Sequence, residues 1–247
     1  MKRLYMVVFI FVICLILPLT NIFVQKLEAQ EVKIGVLHFP PFYVVEEGQE
    51  PSGILIDYIK ASLDKCSITY SIEGYPAKRV YKNLANGISN IFLGPKGVPE
   101  FEGNVIYGNE KVIQIDLRIY TRGDTQLLKT KEELKGRTIL IIRGYGYGGL
   151  IKYLEDPTNN ITLDVTDGHE LAFKKLQMKR ADYLLDYSAP AETTLKSVII
   201  PGIQNHSISL LDVFFIVSKK TPDAEKLLKQ LEQAFVDLKK EGKLINL

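Results

Sequence analysis

The spacing of apolar residues changes along the chain, and each change predicts an element of secondary structure. Apolar and polar residues alternate over Glu31–Leu37, which predicts a strand, and apolar residues at helical spacing over Gly53–Leu63 predict a helix. Strands are also expected at Thr69–Ile72 and Asn90–Leu93, with a helix over Ala77–Leu84 between them. This β-α-β-α-β order predicts a parallel sheet with right-handed crossovers.

A second set of strands and helices follows a long strand-like run. The predicted elements of this part are the strand Val112–Tyr120, a short helix Lys129–Leu134, the strand Thr138–Ile142, a short helix Leu150–Leu154, the strand Thr162–Val165, the helix Gly168–Met178, the strands Ala181–Leu185, Val198–Ile200 and Asp212–Val217, and the helix Asp223–Leu238. The last strand and helix have no partners within this set, so we expect them to return to the first set. The chain then forms two lobes and crosses between them near Leu117–Thr121 and Ser209–Val213.

One stretch, Gly136–Leu150, joins an apolar strand to a turn rich in glycine. Arg143 and Gly144 follow the strand, and Tyr145 and Tyr147 alternate with further glycines before a short helix. A strand that ends in such a turn and begins a helix presents unpaired N–H groups and a partial positive charge. The stretch therefore predicts a binding place for an anion.

The same turn matches a dinucleotide-binding pattern, because Gly144, Gly146 and Gly149 have the spacing G-x-G-x-x-G. Three observations argue against a dinucleotide. The following helix is interrupted by Asp156-Pro157, bulky tyrosines occupy the turn, and the stretch lies in the middle of a chain that begins with an export signal. We therefore predict no cofactor.

The first residues are typical of an export signal. A basic head, Met1-Lys2-Arg3, precedes an unbroken apolar run over Leu4–Leu17. Cleavage after Ala29 would make residues 1–29 a signal peptide and the mature protein periplasmic. An uncleaved membrane anchor is the alternative, because the apolar run continued to Val24 nearly reaches spanning length.

The charges are almost balanced, with 31 Lys and Arg against 29 Asp and Glu, and residues 1–29 hold three of the bases and one of the acids. A nearly neutral mature chain offers no basic face for a nucleic acid. It would keep one cysteine, Cys66, which we expect to be buried. Because His38, His169 and His206 lack metal-ligand spacing and no nucleophile elbow is present, we predict neither a metal site nor a catalytic site.

Five segments, in this order, resemble motifs of one known family. They are VKIGVLHFPPF, EPSGILIDYIKAS, RVYKNLANGISNIFLG, ELKGRTILIIRGYGYG and FKKLQMKRADYLLDYSAP. The family is the type 3 periplasmic solute-binding proteins, which are amino-acid receptors of ABC transporters and also occur as sensor domains. The resemblance covers residues 31–247 and implies an α/β fold of type II, with two lobes, each a mostly parallel sheet flanked by helices, and two hinge crossings. We expect residues 30–119 and 212–247 in the first lobe and residues 120–211 in the second.

The resemblance also implies a function. The chain would capture a small polar, carboxylate-bearing molecule between the lobes and deliver it to an ABC permease in the inner membrane, or act in sensing. We expect a monomer and not an enzyme. Two alternatives stay open, namely an enzyme of the same fold, such as a cyclohexadienyl-dehydratase-like lyase, and an accessory protein that has lost solute binding.

Two aromatic residues match cleft positions of the family. Phe39 matches the aromatic residue that stacks on the ligand, and Tyr75 lies where the family often has another cleft aromatic. Packing at the end of a core strand is the alternative role of Phe39. Ligands in this architecture lie beyond the carboxyl ends of the strands, which favours the binding role.

The family's amino-acid receptors hold an α-carboxylate with an arginine, and this arginine is missing from residues 97–101. The cation must then come from Arg79, Lys96 or Arg143, or the ligand is not a standard α-amino acid. Arg143 is the best candidate because it stands at a strand end beside unpaired N–H donors. An ordinary surface ion pair is its alternative role.

The family's ammonium-binding aspartate is also displaced. Counted from Asp182, its spacing falls on Tyr187, and Asp186 is one residue earlier. The tyrosines of the predicted cleft suit a ring-bearing or sugar-like solute, because tyrosine offers a flat face and a hydroxyl. The full set of predicted ligand-binding residues is Phe39, Tyr75, Lys96, Arg143, Gly144, Tyr145, Tyr147, Asp186 and Tyr187.

Overall fold

The computed structural model of the protein describes residues 31–244, so the predicted signal peptide at 1–29 lies outside the described residues. The strands are β1 Val32–Val36, β2 Tyr70–Gly74, β3 Ile91–Pro95, β4 Val105–Tyr107, β5 Ile113–Thr121, β6 Thr138–Ile142, β7 Thr162–Thr166, β8 Tyr183–Tyr187 and β9 Gln204–Ser218. The α-helices are α1 Ile54–Lys65, α2 Ala77–Asn86, α3 Ile151–Leu154, α4 His169–Gln177, α5 Ser188–Thr194 and α6 Ala224–Lys240.

The first predicted β-α-β-α-β set forms a parallel half-sheet, in which β1 pairs with β2 on one side and with β3 on the other. The C-terminal elements return to it as the pattern predicts. Strand β9 pairs antiparallel with β3, and the ring of Tyr58 in α1 lies 5.8 Å from the ring of Phe235 in α6. We call β1 to β4 the first half-sheet.

The second predicted set forms its own parallel half-sheet, in which β6 pairs with both β7 and β8. Helix α4 packs against β6 and β8 through its apolar side, which includes the buried residues Ala172, Phe173 and Leu176. Burial of one apolar stripe per helix is what the helical spacing predicts. We call β6 to β8 the second half-sheet.

Two long strands run through both half-sheets. Strands β5 and β9 pair antiparallel from Ile113–Val213 to Thr121–Gln204, with an irregularity between Leu117 and Arg118. The far end of β5 pairs with β8, so the strand order is β2-β1-β3-β9-β5-β8-β6-β7 with β4 beside β9. The division of the chain into lobes at residues 119/120 and 211/212 stays a prediction.

The structure differs locally from the predictions, and the short helix predicted over Lys129–Leu134 is a single 3-10 turn at Glu132–Leu134. Val198–Ile200 is not a strand, because this short segment finds no ladder partner and instead places Val198 and Ile200 in the core from a loop. Strand β4 and helix α5 were not predicted, because neither shows a clear pattern of apolar residues. Strand β4 has only three residues, and α5 carries Pro190 in its first turn, where proline is tolerated. Cys66, expected to be buried, is half-buried.

Over residues 31–244, no helix combines the length and the hydrophobicity that crossing a membrane requires.

Arg122, which directly follows β5, is a buried cation that we expect to be important for stability. The Arg122 guanidinium donates to the carbonyl oxygens of Leu176 at 3.2 Å and Ala181 at 2.8 Å, and to the carboxylate of Asp182 at 2.9 Å. Arg122→Ala removes the donor to the Ala181 carbonyl, whereas the Leu176 carbonyl keeps the Lys179 N–H, so the expected cost is about 1–3 kcal/mol. Urea unfolding should show this loss in the free energy of unfolding.

Lys179→Ala is the matched control, because Lys179 is exposed and bonds only to the exposed carboxylate of Asp124. Its expected effect is within about 0.5 kcal/mol. Equal losses in the two variants would contradict the role given to Arg122.

Candidate functional site

Two adjoining cavities lie where strand ends of the two half-sheets meet. The inner chamber has a volume of about 40 Å³, which is room for roughly three water molecules. The outer chamber has a volume of about 430 Å³. Leu37 and Tyr145 line both chambers, so the two spaces are adjacent. Their position matches the expectation that ligands lie beyond the carboxyl ends of parallel strands.

The inner chamber is an aromatic cage around Phe39, which follows β1. The ring of Phe39 meets the ring of Tyr187 edge-on at 5.1 Å and the ring of Tyr145 edge-on at 5.9 Å. Tyr147 stacks on Tyr187 at 5.9 Å. These are the favoured geometries of aromatic pairs. Residues from the end of β1, the end of β8 and the glycine-rich turn after β6 therefore share one apolar space.

Most tyrosine hydroxyls around the inner chamber are bonded within the protein. Tyr43 donates to the Leu93 carbonyl at 2.8 Å, and Tyr147 accepts from the Ile142 N–H at 2.7 Å. The hydroxyls of Tyr81 and Tyr187 have no hydrogen bond to any of residues 31–244, although both residues line the chamber. Burial raises the pKa of both groups, so both hydroxyls are neutral.

A buried acid–histidine pair lies behind this wall. Asp186, with 0 % of its side chain exposed, accepts from His169 Nδ1 at 2.8 Å and from the Tyr187 N–H at 2.7 Å. Burial raises the pKa of the Asp186 carboxyl, and the neighbouring His169 acts in the opposite direction. A buried carboxylate needs such partners, because an unpaired charge in a protein interior is strongly unfavourable.

The pair connects to the first half-sheet through one hydroxyl. Tyr145 Oη lies 3.1 Å from His169 Nε2 and donates to the carbonyl oxygen of His38 at 3.2 Å. His38 follows β1, whereas Tyr145 follows β6. The chain Asp186–His169–Tyr145–His38 therefore links the strand ends of the two half-sheets by hydrogen bonds.

The outer chamber carries charged side chains. Arg143 Nε lies 2.6 Å from the Asp167 carboxylate, and this pair is exposed, with side-chain exposures of 62 % and 73 %. Lys78 at the start of α2 has no ion pair among residues 31–244. His38 also lines this chamber, and burial, followed by the nearby His169, lowers its pKa. The chamber therefore contains an excess of positive charge.

The predicted ligand-binding residues fall into three groups. Phe39, Tyr145, Tyr147 and Tyr187 line the inner chamber, and Tyr75, Arg143 and Gly144 line the outer chamber with Tyr145. Asp186 is sealed behind Tyr187 and lines neither chamber. Lys96 also lines neither, and its ammonium group lies 4.5 Å from the ring centre of Phe214. The binding roles of all nine residues stay predictions.

The structure adds residues that the sequence pattern did not single out. Tyr81 reaches the inner chamber from α2, and Lys78, His38 and His169 reach the outer one. The position of α2 could have indicated that its residues reach the cleft, because this helix begins just after Tyr75 at a strand end. Within residues 31–244, no cluster of three His, Cys, Asp or Glu side chains is suited to a metal ion.

No family model matches the sequence, and no curated protein matches it either. Many solved structures do match in three dimensions. A histidine kinase sensor domain with similarity to periplasmic binding proteins has a TM-score of 0.73 and 16 % identity, over 87 % of this chain and 92 % of that one. The two-lobed fold of periplasmic binding proteins is therefore the fold of this chain.

Binding proteins of transporters are also similar to the chain in structure. The substrate-binding protein of an amino acid ABC transporter has a TM-score of 0.67 and 20 % identity, over 86 % of this chain and 94 % of that chain. Holo ArgBP from T. maritima has a TM-score of 0.67 and 21 % identity, over 85 % and 90 %. The expected fold class is confirmed, and the two half-sheets are the cores of the two lobes.

The buried acid–histidine pair gives a prediction on stability and pH. His169→Leu fills a similar volume but leaves Asp186 buried without its partner, which should cost about 3–5 kcal/mol near neutral pH. Burial already raises the pKa of Asp186, and loss of the histidine raises it further. Above about pH 4 the folded variant then binds more protons than its unfolded chain, so its stability falls as pH rises.

Urea unfolding at about pH 5 and about pH 8 tests this prediction, and the deficit of the variant should be larger at the higher pH. His206→Leu is the control, because the His206 side chain is partly exposed on β9 and has no hydrogen bond within residues 31–244. A deficit of His169→Leu that is independent of pH would show that the buried carboxylate does not depend on His169.

Proposed function

We propose that this chain is an exported solute-binding protein that captures a small polar, carboxylate-bearing molecule in the interlobe cleft. The observation that carries the proposal is the pair of chambers at the strand ends of both lobes. A solute there would contact Phe39 and Tyr81 of one lobe and Tyr145 and Tyr187 of the other. Such contacts would make closure of the lobes depend on the solute, as in hinge-type domain closure.

The solute would serve uptake by an ABC permease in the inner membrane, or sensing. The similarity to a substrate-binding protein of an amino acid ABC transporter supports the first role, and the similarity to a kinase sensor domain supports the second. Export to the periplasm rests on the N-terminal signal pattern. We propose a monomer, because a cleft between lobes of one chain needs no second copy to be complete.

Arg143 and Lys78 would supply the cation for the carboxylate. The Arg143–Asp167 pair is exposed, and exposed pairs contribute little to stability. The guanidinium can therefore leave Asp167 for a ligand carboxylate at low cost, and its planar fork suits two parallel hydrogen bonds. Lys78 would add a second positive charge from α2 in the opposite lobe.

A lyase of the same fold is a second candidate, and the His169–Asp186 pair favours it. A histidine whose orientation is fixed by a carboxylate is a suitable general acid or base, and His169 lines the outer chamber. An accessory protein without a solute is the third, favoured by the small volume of the inner chamber. Turnover of a prephenate-like acid would support the lyase over the binding protein.

Thermal unfolding with amino acids, sugars and organic acids tests the proposal, because a bound solute raises the melting temperature. For the solute with the largest shift, Arg143→Ala should weaken binding about 10- to 100-fold, since a charge-assisted hydrogen bond is lost. Isothermal titration calorimetry measures this change.

Arg180→Ala is the control, because Arg180 is an exposed arginine of the same lobe that lines neither chamber. The affinity of the Arg180→Ala variant for the solute should equal that of the wild type. Absence of a shift for every solute would exclude the binding role and favour the accessory one. Equal affinities of the Arg143 and Arg180 variants would move the cation site elsewhere.

A further inference from the structure

We infer that the cleft selects a monoanion that lacks an ammonium group and whose other end is a flat apolar body with one neutral hydrogen-bonding group. This inference rests on the proposed function and names the chemical class of its solute. It follows from the different chemistry of the two chambers. The inner chamber is neutral, whereas the outer chamber is cationic.

The inner chamber excludes charged groups. Its lining consists of aliphatic and aromatic residues, glycine and proline, and no lining side chain among residues 31–244 is ionised. An ammonium or carboxylate that entered this space would lose its hydration without a charged partner, which is strongly unfavourable. The part of the solute that enters it must therefore be uncharged.

The inner chamber nevertheless requires a hydrogen-bonding partner. Tyr81 and Tyr187 are 7 % and 5 % exposed, both line the chamber, and neither hydroxyl bonds to any of residues 31–244. Burial and then the neighbouring Tyr81 raise the pKa of Tyr187, as expected for two phenols that face the same space. These two hydroxyls face the chamber without a protein partner, so a neutral oxygen on the solute can exchange a hydrogen bond with them.

The walls of the inner chamber suit a flat body. Phe39 already sits edge-on against Tyr145 and Tyr187, which shows that these rings accept a neighbouring ring in a favoured geometry. The chamber of about 40 Å³ has no room for a further ring as it stands, so a solute ring would make these contacts in place of Phe39 once the lobes separate. An aliphatic chain would fill less of this aromatic surface.

The outer chamber suits a single negative charge. Apart from His169, whose partner is Asp186, its charged side chains are Lys78, Arg143 and Asp167, and Asp167 is the one acidic residue among the described residues that line either chamber. Because Arg143 and Asp167 neutralise each other, one positive charge remains. Asp186 cannot serve an ammonium group, since it is fully buried and bonded to His169 and the Tyr187 N–H.

Four probes separate these features by calorimetry. They are 3-(4-hydroxyphenyl)propionate, L-tyrosine with an added α-ammonium, 3-phenylpropionate without the hydroxyl, and tyramine with an ammonium in place of the carboxylate. The first should bind at least about tenfold more tightly than each of the others, a difference of ~1.4 kcal/mol in every pair. Equal or tighter binding of L-tyrosine or tyramine would overturn the inference.

Variants test the role of the two hydroxyls. Tyr81→Phe and Tyr187→Phe should each bring the affinities of the hydroxylated and unhydroxylated propionates close together. Tyr120→Phe is the matched control, because the Tyr120 hydroxyl likewise has no hydrogen-bond partner among residues 31–244 but lies outside both chambers. It should keep the tenfold preference. An unchanged preference in both chamber variants, each verified to be folded by circular dichroism, would overturn the inference.

The outcomes also separate this inference from the proposed function. Binding of an amino acid, a sugar or another solute outside the class, with none of the propionates bound, would leave a solute-binding protein and overturn the inference. Absence of binding for every solute would overturn both.

Discussion

A carboxylate with no solvent exposure determines much of the architecture of this site. Asp186 lies near the end of β8 in the interior, and its charge must be compensated there. His169 at the start of α4 provides the compensation and is oriented by it. Tyr145 then lies against His169 and reaches the His38 carbonyl in the other lobe. These hydrogen bonds connect β8, α4, the turn after β6 and the segment after β1 within otherwise apolar surroundings.

This arrangement separates charge from the inner surface of the cleft. Asp186 pairs with a histidine of the same lobe, and no acidic or basic side chain among the described residues lines the inner chamber. The remaining charges stand at the outer edge, where Arg143 and Asp167 are hydrated. A low local dielectric inside strengthens every interaction with an uncharged hydroxyl, whereas solvent weakens the outer ones. Orientation of a solute would follow from this difference.

The elements could be predicted from the sequence because their signals are local. Helices α1, α2, α4 and α6 each carry an apolar stripe of helical period, and each parallel strand is a short apolar run between turns. The strand predicted at Val198–Ile200 is wrong because three apolar residues show no periodicity. Only tertiary contacts decide between a strand and a loop there.

The site was predictable in part for the same reason. Residues directly after strands, such as Phe39 and Arg143, can be assigned to the cleft from strand order alone. The pairing of Asp186 could not be predicted, because its partner His169 lies 17 positions away in the sequence. Lys96 follows a strand as well, yet it turns to the ring of Phe214, a cation–π contact that no sequence spacing indicates.

The glycine-rich turn after β6 has a structural explanation that does not require a phosphate. Gly97, after β3 in the first lobe, lies against the backbone of Gly148, and a Cβ on Gly97 would stand 2.6 Å from the Gly148 carbonyl oxygen. Both residues have positive φ, at +88° and +63°. The two backbones can approach only because Gly97 has no side chain, whereas a Cβ on Gly148 would meet Leu211 instead. The glycines thus permit direct backbone contact between the lobes and bring Tyr145 and Tyr147 to the cleft.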